Sequence, residues 1–138
     1  MKVIIYKTLS LLGVPALSRS LNSTPKVIFW HGVDILHDKG VDGECVNSVV
    51  FEKQIIYLKK HFNIIPIDNL KMKDSLTKRD MVITFDDGFK NNLEIAAPIL
   101  ERHKIPFTVF ICSNNISTGS LFPTSISRLI ILKSNAKR

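Results

Sequence analysis

"MVITFDDGFKNN", residues 81–92, sets apolar and β-branched residues against two adjacent acids, a glycine, an aromatic residue and a pair of asparagines. The run Met81–Phe85 does not alternate, which is the pattern of a strand covered on both faces in a parallel sheet. Sites of parallel α/β folds lie at the carboxyl ends of their strands, and Asp86 and Asp87 stand at that end. Side chains alternate along a regular strand, so two successive acids reach one pocket only if the backbone turns between or just after them. Gly88 supplies the freedom for such a turn. Adjacent carboxylates repel, and removing either from water is costly unless a cation or a proton compensates. With one carboxylate on a divalent cation, the other can stay ionised beside it as a general base on a metal-bound water. Asp-Asp-Gly alone is common in surface turns. The buried strand before it and the helix after it give the tripeptide its weight.

Outward from this stretch, the chain reads as alternating strands and helices. "VIFWHGV" is a short buried strand after the turn-like "STPK", and it leads into the Gly- and Asp-rich loop "DILHDKGVDGEC". From Ser48, which can cap the first turn, Phe51, Ile55, Leu58 and Phe62 recur at helical spacing. "NIIPI" is a second strand, "DNLKMKDSLTKRD" a polar connection with a helical turn, and "MVITF" the third strand. "NNLEIAAPILERHK" is helical mainly after Ala97, since Pro98 is tolerated in a first turn and disruptive inside a helix. "PFTVFIC" is the fourth strand. The Ser/Gly-rich loop "SNNISTGS" and one short helix follow. This order predicts an α/β fold with a largely parallel sheet.

The chain has 138 residues and 45% hydrophobic content, enough for one ordinary core. Aromatic and charged fractions of 8% and 22% are ordinary for a globular protein and give no support to disorder, a fibre or a polytopic membrane protein. All twelve acids lie between Asp34 and Glu101, where they outnumber the basic residues by three, so the two ends carry the whole +7 excess. Basic ends suit an anionic surface or a solvated face. No dense Lys/Arg block or nucleic-acid motif is present, so nucleic acid is not an expected partner. Cys45 and Cys112 form no C-x-x-C unit and read as ordinary thiols.

The first segment, residues 1–25, is expected to be helical, with Pro15 ending or kinking the helix. Its apolar run, Leu9–Leu17, is far below the ~20 residues that span a bilayer. An ordinary packing helix, an interfacial helix giving peripheral membrane contact, and a signal segment all fit, in that order. A cytoplasmic or membrane-peripheral location is thereby favoured over secretion.

"VITFDDGF" resembles the first motif of the polysaccharide deacetylases, the NodB-homology hydrolases of carbohydrate esterase family 4. "VIFWHGV", "FEKQIIYLKKHFNIIPI" and "NNLEIAAPILERHKIPFTVFI" resemble the flanking segments in the expected order, over residues 26 to 112. The resemblance implies a distorted (β/α) barrel, a divalent cation, usually zinc, held by one aspartate and two histidines, and an N-acetylated polysaccharide as substrate. It makes Asp86 the general base and Asp87 the metal ligand. The family's later His-Ser/Thr-x-x-His string is absent from the sequence. A complete barrel of this type takes ~250 residues. Residues 26–138 are therefore expected to be the amino-terminal part of such a domain, from a truncated or split reading frame, inactive alone or acting in carbohydrate binding or assembly with another chain. Of the histidines, His61 and His103 fall at helix ends and read as structural, His37 reads as a loop residue, and His31 directly follows a strand at the rim expected for Asp86.

Overall fold

The computed structural model describes residues 24–35, 45–72 and 75–135; the expected helix within residues 1–25 and the His37 loop lie outside them, apart from the last two residues of the first segment. In chain order the elements are β1 (Lys26–Trp30), β2 (Gly32–Asp34), β3 (Cys45–Asn47), α1 (Ser48–His61), β4 (Asn63–Ile64), a 3-10 turn (Ile67–Lys71) and β5 (Asp80–Phe85). A π-helical turn (Asn92–Ala96), α2 (Ala97–Arg102), β6 (Thr108–Val109), α3 (Ser113–Thr118) and α4 (Pro123–Asn135) follow.

β5 is the centre of the main sheet and is buried along its whole length. β1 lies parallel along one edge, with Lys26 opposite Met81 and Trp30 opposite Phe85. β4 pairs in parallel at Asp80 and Met81, and β6 in parallel at Thr84 and Phe85. Because β1 occupies one edge of β5, β4 and β6 divide the other edge between them. β2 and β3 form a separate parallel pair at the carboxyl end of β1.

The core lies between the sheet and its helices. α1 buries Phe51, Ile55 and Leu58, the stripe its spacing predicts, against Trp30, Met81, Ile83 and Phe85. Burial of such side chains contributes roughly 1.5–3 kcal/mol each. Trp30 and Phe51 meet edge to face at 5.3 Å, and Ile99, Leu100 and Ile105 close the far side. The fold class is α/β with a parallel sheet, as in the first strands of a (β/α) barrel left open.

Several local expectations are corrected. Asn47, not Ser48, caps α1: its side chain accepts from the Val49 N–H at 3.0 Å. Both residues are good caps, and the chain uses the earlier. Strand β3 emerges from what reads as loop. "NIIPI" and "PFTVFIC" shrink to two-residue strands, because each finds only half of β5's second edge. "SNNIST" is helical rather than loop; the Ser117 and Thr118 hydroxyls bond back to the carbonyls of Ser113 and Asn114. Among the described residues no helix is long and apolar enough to cross a membrane.

Candidate functional site

The ladder between β1 and β5 continues one step past β5, where the Asp86 N–H donates to the Trp30 carbonyl at 3.0 Å. There the backbone reverses. The Gly88 N–H returns to the Asp86 carbonyl at 2.8 Å, closing a three-residue turn about Asp87, whose φ is +68°. This is the rarer, strained form of γ-turn. Gly88 follows with φ +69°, and a Cβ there would lie 2.8 Å from Ile111 Cγ2. The turn that the paired acids require therefore begins at Asp87 and extends through Gly88. Aspartate is one of the few non-glycine residues that visit left-handed backbone, and such outliers cluster at functional sites.

Met81, Ile83 and Phe85 belong to the core under the helices, so Val82 and Thr84 face the other side of the sheet, and alternation carries Asp86 to that side. His31 directly follows β1, at the register position beside Asp86. Its ring meets Phe29 edge-on at 5.8 Å, which puts it on the face of β1 away from Trp30 and α1. Asp86 and His31 are thus brought together at one rim, half-buried, with Asp87 beside them. Neither aspartate carboxylate makes a hydrogen bond or ion pair among the described residues. The other two described histidines stand apart. His61 stacks on Tyr57 at 4.3 Å, and His103 Nε2 lies 2.9 Å from Glu52 Oε1, which also accepts from Arg102 Nη2 at 3.0 Å. These partners hold the Glu52 carboxyl below its ordinary range, chiefly through the His103 hydrogen bond and then that of Arg102. Both histidines have partners of their own away from the Asp86 rim.

Asn91 and Asn92 are not among the residues expected at the site. The Asn91 Nδ2 donates to Cys45 Sγ at 3.5 Å, and its amide packs against Gly32, where a Cβ would lie 2.6 Å from that sulfur and 2.9 Å from Asn91 Oδ1. This contact ties the turn after His31 to the turn after Asp87. Asn92 is 2% exposed, and both of its amide atoms lack a hydrogen-bond partner among the described residues. The tandem asparagines were the only sequence signal. Cys45 and Cys112 are both thiols.

A catalytic zinc normally keeps three protein ligands. Among the described residues no group of three His, Cys, Asp or Glu is placed to hold a metal ion. The open carboxylates suit a cation, but these residues alone do not complete a centre.

Residues 73–131 match the family model for polysaccharide deacetylase. The poly-beta-1,6-N-acetyl-D-glucosamine N-deacetylase of Staphylococcus aureus strain N315 is 34% identical over 82 residues, 56% of this chain and 28% of that protein. The chain thus spans less than a third of the curated relatives it matches. IcaB from Ammonifex degensii superposes with a TM-score of 0.56 at 23% identity, over 65% of this chain and 39% of that one. The Streptococcus pyogenes deacetylase PplD gives a TM-score of 0.59 at 17% identity, over 82% of this chain and 53% of that one. These two likenesses establish the fold, that of (β/α)-barrel deacetylases. In sequence and in fold, this chain is thus similar over part of its length to the polysaccharide deacetylases.

Proposed function

We propose that the chain is the amino-terminal portion of a deacetylase of N-acetylated polysaccharide, contributing Asp86 and Asp87 to its site from a domain portion that begins near residue 26. The observation that carries this reading is the left-handed Asp87, which holds two open carboxylates together at the end of a buried strand. Asp86 takes the proton from a water attacking an acetamide carbonyl, and as the C–N bond breaks that proton passes to the departing nitrogen, giving acetate and a free amine. Asp87 would be one ligand of a divalent metal, zinc by the resemblance, although no three-ligand group stands among the described residues. The metal supplies Lewis-acid polarisation when bound. His31 lines the rim of the sugar site. The relative from Staphylococcus aureus, by its name, acts on poly-β-1,6-N-acetylglucosamine, and this supports a glycan of N-acetylhexosamines as the substrate class.

A second reading draws on the lack of a three-ligand group among the described residues: a non-catalytic chain that keeps the rim for carbohydrate binding. Amine release separates the two. The full chain is mixed with the separately expressed part of Ammonifex degensii IcaB that lies beyond the matched stretch, in the presence of Zn²⁺ and an N-acetylglucosamine oligomer. Primary amine is expected from the mixture, from neither part alone, and from neither Asp86→Asn nor Asp87→Asn mixtures. A mixture that forms a complex but releases no amine, or one whose Asp86→Asn variant keeps full activity, overturns the catalytic reading.

A further inference from the structure

Asn91 stands at the cap position of the π-helical turn, where an asparagine side chain ordinarily accepts from the first backbone N–H groups, yet it makes no such bond. Its amide turns instead toward β2 and β3. Gly32 and Cys45 are register partners in that pair, and the amide lies across them. Nδ2 donates to Cys45 Sγ at 3.5 Å, while a Cβ on Gly32 would stand 2.9 Å from Oδ1 and 3.0 Å from Nδ2. Oδ1 is buried and has no hydrogen-bond partner among the described residues.

These contacts cross the mouth of the ladder between β1 and β5. Its last bond, from the Asp86 N–H to the Trp30 carbonyl, lies where the chain leaves β5 for the Asp87 turn and β1 for His31. Beyond it the Asn91 side chain spans the gap, reaching from just after the Asp87–Gly88 turn to the neighbour of His31. Packing alone does not select asparagine here, because leucine has nearly the same size and leaves no buried carbonyl oxygen without a partner. Capping does not select it either, since no cap bond forms. The amide holds two segments at a set separation, and a shift of about 1 Å at reacting groups can cost about 10²-fold in rate.

We propose that Asn91 is a positioning residue of the Asp86–Asp87 rim: its amide, laid over Gly32 and bonded to the Cys45 thiol, fixes the separation between the turn that carries the two carboxylates and the segment that carries His31. Gly32 is part of the device, because a Cβ there would also stand 2.6 Å from the sulfur and displace it or the amide. This inference rests on the functional reading above, and it adds what holds the reacting carboxylates in place.

Amide hydrogen exchange in the full chain reads the contact directly. The Asp86 amide reports the mouth of the ladder, and the Val82 amide, deeper in β5, reports opening of the sheet as a whole. In Asn91→Leu the Asp86 amide is expected to exchange at least about tenfold faster with Val82 unchanged, a split that a merely structural asparagine does not produce. Cys45→Ala should give the same split, and Cys45→Ser, which keeps an acceptor, should restore the original exchange; this pair carries the test if Asn91→Leu does not fold. The double variant, Asn91→Leu with Cys45→Ala, should be no faster than either single one, because both break one contact. Two amides that speed up together, an unchanged Asp86 amide, a serine that does not restore, or effects that add in the double variant overturn the proposal. In the mixture with the IcaB part, Asn91→Leu is expected to lower kcat at least about tenfold and leave KM within about twofold. Faster Asp86 exchange with full kcat overturns the positioning role. No amine release from the unsubstituted chain in that mixture counts against the deacetylase reading instead, and the exchange result then decides alone whether Asn91 holds the rim.

Discussion

Replacing Asp87 by glycine and, separately, by alanine reads the backbone of the site directly. Both variants remove the carboxylate, so they differ only in how they tolerate a φ of +68°. Alanine at left-handed backbone costs roughly 1–2 kcal/mol. Glycine escapes that cost but gives up roughly 0.5–1 kcal/mol through the greater freedom of its unfolded chain. The glycine variant is therefore expected to be more stable than the alanine variant by about 0.5–1 kcal/mol, a gap of a few degrees in Tm for a chain of this size. At an ordinary strand or helix position the order is reversed. Urea unfolding followed by Trp30, the single tryptophan and 8% exposed, measures the gap. An alanine variant equal to or more stable than the glycine variant would refute the left-handed turn and, with it, the account of how two successive acids share a rim.

The remaining predictions concern the supports of the sheet. Asp80, 5% exposed, accepts from the Thr77 backbone N–H at 2.5 Å and from Asn63 Nδ2 at 2.6 Å. Asp80→Ala is expected to cost roughly 3 kcal/mol in urea unfolding, since bonds to a charged group contribute about 1.5–3 kcal/mol each. The Thr77 backbone hydrogen bond, then that of Asn63, holds the Asp80 carboxyl below its ordinary range. A depressed folded value means that its stabilisation is present above the unfolded value near ~3.9 and is lost as pH falls through the folded value. The gap between wild type and Asp80→Ala should thus be flat above about pH 5 and close below pH 4; a gap that widens on acidification contradicts it. Gly88→Ala combines left-handed backbone with a 2.8 Å approach to Ile111, while Gly119→Ala has the same backbone sign and nothing within 4 Å. Thermal unfolding should rank Gly88→Ala below Gly119→Ala, each losing at least about 1 kcal/mol.

The parts of the fold legible in the sequence were those where one physical signal acted alone. Phe51, Ile55 and Leu58 mark α1 because spacing decides which face is buried. Met81–Phe85 mark the central strand because only a doubly covered strand drops its alternation. Illegible parts had competing signals or long-range causes. The π-helical turn before α2 follows from Pro98: without an N–H it cannot bond the carbonyl four residues back, and the Ala97 N–H instead reaches Asn92, five residues back. The truncation of β4 and β6 depends on how two strands share one edge of β5, which neither segment encodes. The shared rim of the acids and His31 is legible because each directly follows a strand. The Asn91–Cys45–Gly32 contact is not, because it joins segments far apart in sequence.

The identity of residue 87 has two separable causes, and one substitution divides them. The sequence suggests that Gly88 makes the turn and that both acids are there for charge; in the structure the left-handed backbone starts at Asp87 itself. Aspartate is then suited to its position both as an anion and as a residue that tolerates positive φ. Asparagine shares the tolerance and lacks the charge. Asp87→Asn is expected to keep the urea midpoint within about 0.5 kcal/mol of wild type, the range of substitutions that touch no structural feature. Amine release by the mixed complex should fall by at least the roughly 10–100-fold that loss of a mere supporting partner of a metal ligand costs. Retained amine release with retained stability would show that the acid serves the turn alone, and the electrostatic reading of the pair would fail. A large loss of stability would show instead that the carboxylate anchors the fold, which its lack of a partner among the described residues argues against.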